Sequence, residues 1–128
     1  MRKIRVLIGS TPALSTLLRY LFDSRPEFDV VGCYSRAQDL ENAAARELPE
    51  LIVASVKPVT TTAGSVAASI KRSSPGSKLI LIFPFRDLIG LARKSGADAC
   101  LVQENLVPSL IPAARGLSAR NRTATPRK

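Results

Sequence analysis

Short, nearly continuous apolar runs recur along the chain at 4–8 (IRVLI), 30–34 (VVGCY), 51–56 (LIVASV), 79–83 (LILIF) and 99–102 (ACLV). Several are β-branched and most are bounded by turn formers. Runs without polar alternation predict strands buried on both faces, as in a parallel sheet. Between them the apolar spacing changes to three and four. Segment 13–23 puts Leu14, Leu17, Leu18, Leu21 and Phe22 on one helical face, with Ser10 or Thr11 and Pro12 as a start signal. Segment 37–48 carries Leu40, Ala44 and Leu48, and segment 64–72 carries Val66, Ala67 and Ile70. A short fourth helix is predicted at 88–95, closed by Gly96. A fifth is predicted at 106–117, where Pro108 is tolerable in the first turn. Pro112 should kink this helix or move its start later.

The order βαβαβαβαβα, with short connections, predicts a three-layer α/β architecture: a doubly wound, flavodoxin-like (βα)5 fold with a parallel sheet of order 2-1-3-4-5. Residues 1–117 form one domain in this reading, and 118–128 a basic, disordered tail. Cys33 and Cys100 then lie on opposite sheet edges, roughly 19 Å apart. That is too far for a disulfide, which needs Cα atoms within about 7 Å, so both are expected reduced.

Composition narrows the chemistry. The 128 residues are 45% hydrophobic, which suits a packed core, and contain no histidine. Imidazole ligands, His general bases and phosphohistidine are excluded, and two cysteines cannot build a four-thiolate zinc site. No apolar run approaches the ~20 residues that span a bilayer, and the start lacks a secretory pattern. A cytoplasmic protein is expected. Of the net charge of +9, five units come from Arg115, Arg120, Arg122, Arg127 and Lys128, beyond the last acid, Glu104. Such a tail can hold nucleic acid nonspecifically, or it is simply a solvated end.

In open α/β sheets, ligands sit beyond the carboxyl ends of the strands, where the strand order reverses. The residues expected there are Gly9, Ser10 and Thr11 after strand 1, and Ser55, Val56, Lys57 and Pro58 at strand 3. Phe83, Pro84 and Phe85 follow strand 4, and Gln103, Glu104 and Asn105 follow strand 5.

With these positions placed, the chain resembles a response-regulator receiver domain of the NarL-like group. The matching stretches are 4–8 (IRVLI), 26–32 (PEFDVVG), 46–53 (RELPELIV) and 96–98 (GAD), and Arg36-Ala37 stands where receivers usually have an Asn-Gly turn. The resemblance covers residues 3–117. It implies aspartyl phosphorylation: paired acids after strand 1 hold Mg²⁺, and an Asp ending strand 3 is the nucleophile. A Ser/Thr ending strand 4 and a Lys after strand 5 bind the phosphoryl group, and an aromatic on strand 5 reports the switch.

This sequence departs at each position. The acid pair falls on Gly9-Ser10 or Ser10-Thr11, the acceptor on Ser55, the Ser/Thr on Phe83, the Lys on Gln103 and the aromatic on Cys100. Of the ten acids, only Asp87 and Glu104 fall in loops on that side of the sheet. The expectation is a degenerate pseudo-receiver that is not phosphorylated, is not an enzyme and needs no cofactor, Mg²⁺ included. The altered pocket has three readings. Ser10, Thr11 and Ser55 satisfy backbone groups while Phe83, Pro84 and Phe85 fill the volume. Alternatively, the helix start and Lys57 bind a small anion. Or Phe83, Phe85 and Leu88 lock one switch state.

The resemblance further implies signalling by protein–protein interaction. The partner would be a histidine kinase, a phosphotransfer protein, an output protein or a second copy of the chain. The docking face would be helix 4, strand 5 and helix 5, here represented by Arg86, Arg93, Lys94, Cys100, Gln103 and Leu110. The chain ends where an output domain would begin, so specific DNA binding is not expected, and without a long apolar run neither is a membrane partner. It reads as a single-domain regulator or a fragment of a longer one.

Overall fold

The computed structural model describes residues 3–55, 63–85 and 96–124, with backbone alone at 63–66 and 119–124. Five strands, β1 (Ile4–Gly9), β2 (Phe28–Tyr34), β3 (Leu51–Ser55), β4 (Lys78–Phe83) and β5 (Ala99–Val102), form one parallel sheet of order β2-β1-β3-β4-β5. The described helices are α1 (Pro12–Asp23), α2 (Ala37–Glu47), α3 (Ala63–Ser73) and a C-terminal helix (Leu106–Ala124) entered through a 3₁₀ turn at Gln103–Asn105. The expected helix at 88–95 lies outside the described residues.

Strand side chains alternate between two cores. Ile4, Val6, Ile8, Leu51, Val53, Ile80 and Ile82 face α1 and the C-terminal helix, where Leu18, Phe22, Leu106, Leu110, Ile111 and Leu117 close the layer. Leu7, Ile52, Ala54, Leu79, Leu81 and Phe83 face α2 and α3, meeting Leu40, Ala43, Ala44, Ala67 and Ile70. Phe22 and Phe28 meet edge to face at 5.0 Å, a favourable quadrupole arrangement. The apolar runs lack polar alternation because both of their faces are covered.

One strand breaks the alternation. Val6 pairs with Val30 but Leu7 pairs with Gly32, so β2 carries an extra residue against β1. This bulge reverses the phase of the rest of the strand. Val30 and Cys33 pack on the α1 side, whereas Val31 and Tyr34 pack on the α2 side. Glycine at the kink leaves room for the Tyr34 ring, which a Cβ on Gly32 would push aside.

Three expectations need correction. α2 ends at Glu47, not Leu48. Leu48 is the cap, in left-handed conformation (φ 47°, ψ 58°) and 64% exposed, because Pro49 cannot continue a helix. The C-terminal helix neither starts late nor stops at Leu117: it runs unbroken from Leu106 to Ala124 with Pro112 inside it. Pro112 removes one donor, which would have met the Pro108 carbonyl. Both prolines lie on the exposed face, where water can take that carbonyl. Seven residues of the expected tail, 118–124, therefore belong to the helix, while residues 125–128 lie outside the described part.

The amino ends of the strands are fastened by polar groups. Lys71 Nζ donates to Asp98 Oδ2 at 2.6 Å and to the Ser77 carbonyl at 3.1 Å. The Leu79 amide donates to the same Asp98 oxygen at 2.8 Å, and the Asp98 amide returns a bond to the Leu79 carbonyl. Burial raises the Asp98 pKa, but the hydrogen bonds from Lys71 and Leu79 outweigh it and hold the carboxyl below its ordinary value. Gly96, two residues earlier, has φ 89°, a conformation suited to glycine. The Gly-Ala-Asp stretch thus aligns β5 against β4.

Candidate functional site

β1 and β3 lie side by side, with Gly9 opposite Ala54, so the chain leaves both strands at the same end of the sheet. Beyond β1 the Ser10 amide donates to the Tyr34 carbonyl at 2.9 Å, and Thr11 caps α1 by accepting the Leu14 amide on Oγ1 at 3.4 Å. Ser55, the last residue of β3, donates from Oγ to Ser10 Oγ at 2.9 Å. Ser10 is 5% exposed. Of the two registers open in the sequence, the structure brings Ser10 to Ser55, while Thr11 serves the helix start.

Gly9 has a different task. A Cβ built there would collide with Leu40 Cδ2 of α2. Leu40 occupies the space that a side chain at position 9 would need, so no acid fits there unless the α2-side core shifts. Phe83 is fully buried in that same core. Phe85, expected from the sequence to fill the pocket beside it, is 58% exposed and does not do so; Pro84 is half-buried. Gln103 opens the 3₁₀ turn after β5 and is exposed.

The structure thus assembles Gly9, Ser10, Ser55 and Phe83 at the ends of β1, β3 and β4. Lys57, Arg86, Arg93 and Lys94 lie outside the described residues. A receiver-type centre requires Mg²⁺, a hard cation that takes carboxylate oxygens. Here the convergent groups are two mutually bonded hydroxyls, and no cluster of three acidic, cysteine or histidine residues forms among the described residues. This donor set does not fit the metal.

The expected docking face also changes. Leu110 is completely buried beneath the C-terminal helix, in the core with Leu106, Ile111, Ala114 and Leu117. It cannot contact a partner. The spacing of Leu106, Leu110, Ala114 and Leu117 marks one helical stripe and could have placed it inside. The outward residues of that helix are Val107, 59% exposed, with Pro108, Pro112 and Arg115. Cys100 is half-buried and packs toward the α2 side. Arg115 Nε donates to Glu27 Oε2 at 2.6 Å, and this hydrogen bond holds the half-buried Glu27 carboxyl below its ordinary pKa.

A second concavity is not foreshadowed by the sequence pattern. It is a groove of about 290 Å³ between α1 and the carboxyl end of β2, reaching from Arg19 to Ser35. The phase reversal in β2 is what brings Cys33 to it.

No family model matches the chain, and no curated protein matches it. Solved structures do. The response regulator domain of Thermotoga maritima CheB superposes with a TM-score of 0.75 at 17% identity, covering 91% of this chain and 98% of that one. The signal receiver domain of the putative response regulator NarL from Mycobacterium tuberculosis gives 0.72 at 18%, covering 91% and 99%. The signal receiver domain of a modulated diguanylate cyclase from Desulfovibrio desulfuricans G20 gives 0.75 at 15%, covering 94% and 97%. The chain has the flavodoxin-like fold of receiver domains. No described helix is long and apolar enough to cross a membrane.

Proposed function

We propose that this chain is a receiver-type signalling module that works without aspartyl phosphorylation. It would act in two-component-type signal transduction through protein–protein contact in the cytoplasm, with a histidine kinase, a phosphotransfer protein, an output protein or a second copy as partner. The observation that carries the reading is the Ser55–Ser10 hydrogen bond, formed where receivers place the phosphoacceptor and its metal-binding acid. Leu40 over Gly9 and the buried Phe83 support it, because both commit the former site to the core. A serine ester lacks the reactivity of an acyl phosphate, and the neutralising lysine is replaced by Gln103.

The test is a ¹⁵N-labelled full chain mixed with Mg²⁺ and beryllofluoride, or with Mg²⁺ and acetyl phosphate. Unchanged amide shifts at Gly9, Ser10, Ser55 and Gln103 are the expected result. Saturating shifts at Ser55 and Gln103 would overturn the reading. Sedimentation of the same sample tests self-association: a concentration-dependent mass selects the second copy as partner.

A further inference from the structure

We infer that the groove between α1 and the carboxyl end of β2 binds a small organic oxyanion, a phosphate ester or carboxylate of a few carbons. One wall is the α1 stripe Pro12, Ser15 and Arg19, spaced to share a helix face; the other is Cys33 and Ser35, with Ser10 at the end.

Two independent observations point to a ligand. The first is Ser15. It is only 8% exposed, and its Oγ has no hydrogen-bond partner among the described residues. No side-chain oxygen sealed from solvent lacks a partner among the described residues. Ser15 lines the groove and its hydroxyl is therefore not sealed from solvent, so it offers a donor to whatever enters. The second is charge. The wall residues include one guanidinium and no carboxylate, and the first turn of α1 carries no acid to neutralise its amide dipole. Arg19 Nε lies 3.8 Å from Asp23 Oδ2, beyond hydrogen-bond range, so this exposed pair is a loose one that an incoming oxyanion can compete with.

The dimensions set the ligand's size. About 290 Å³ exceeds a bare anion and lies at the lower end of small-molecule sites. Hydroxyl walls favour a polar body, while Pro12 and Cys33 accept a short carbon chain. Arg19 would hold the oxyanion, with the Ser15 and Thr16 hydroxyls of the same helix beside it, since a guanidinium pairs with two oxygens at once. Ser10 belongs both to this groove and to the bond with Ser55. An occupant would therefore touch the residue that ties β1 to β3. The binding claim stands whether or not the proposed function holds.

The experiment is an NMR titration of the labelled full chain with glycerol 3-phosphate, and separately with glycerate. Saturating shifts at Ser10, Ser15, Thr16, Cys33 and Ser35 are expected with at least one probe, and the stronger probe identifies the oxyanion. Arg19→Gln, at an exposed helix position, should weaken binding about tenfold or more, and Ser15→Ala by a smaller factor. In a Cys100→Ser background the ligand should also slow alkylation of Cys33. No saturating shift with either probe overturns the inference. So do shifts that survive Arg19→Gln unchanged, shifts centred on the basic C-terminal residues, or shifts centred on Ser55 and Gln103 alone.

Discussion

Ser55 at the end of β3 donates a 2.9 Å hydrogen bond to Ser10, which comes directly after β1. The two residues are 45 positions apart, and this bond joins neighbouring strands beyond the last backbone pairing. Replacing either hydroxyl should cost about 0.5–1.5 kcal/mol. A double-mutant cycle of Ser10→Ala and Ser55→Ala, read by urea denaturation, should return a coupling of about 0.5–1 kcal/mol. Strict additivity would show that the pair does not interact in solution.

Phe83, at the end of β4, stands where the receiver resemblance calls for a small hydroxyl residue, and it is wholly buried. Phe83→Thr should therefore destabilise the protein by about 2–4 kcal/mol, the sum of lost apolar transfer and the cavity left behind. An unchanged denaturation midpoint would contradict this placement.

Asp98 sets a pH dependence. Its folded carboxyl titrates below the ordinary value of 3.8 because the Lys71 and Leu79 hydrogen bonds outweigh burial. The unfolded chain thus takes up this proton first as the medium acidifies. The contribution is complete above the unfolded value and is lost as pH falls through the lower folded one. Asp98→Asn should lower stability at neutral pH by about 1–2 kcal/mol and flatten the acid limb of the melting curve. If the variant keeps the wild-type acid limb, the assignment to Asp98 fails. Glu27 has the same sign, and Arg115→Gln should move its NMR titration midpoint back toward 4.5.

Leu48 is a leucine in a conformation that usually selects glycine, and it buries little. Leu48→Gly removes a left-handed penalty of about 1–2 kcal/mol, offset in part by the freer unfolded chain. A net gain of about 0.5–1 kcal/mol is expected, visible as a higher thermal midpoint. A lower midpoint would mean that the largely exposed side chain makes contacts worth more than the strain.

The sheet is legible in the sequence because burial on both faces leaves unbroken apolar runs, and all five strands fall on them. Helix faces are legible in part. Leu18, Phe22, Leu40 and Ile70 are inside as their spacing requires, but the receiver analogy puts Leu110 on the surface, against its own spacing. Leu48 matches the apolar period of α2 although Pro49 already ends the helix. In the site, the absence of a carboxylate at Gly9, Ser10 and Ser55 is read directly from residue identity. The role of Gly9 cannot, since it depends on Leu40 arriving from another element. The α1–β2 groove is invisible for a similar reason. It exists because one extra residue in β2 turns Cys33 toward α1, and VVGCY reads as an uninterrupted strand.

That bulge has a consequence for the protein in crowded solution. β2 is an outer strand of the sheet and presents backbone donors and acceptors that could template a second chain. An edge whose register slips between Val30 and Gly32 offers no long regular ladder for such docking. The irregularity that shapes a groove on one side therefore also guards the molecule against edge-to-edge aggregation.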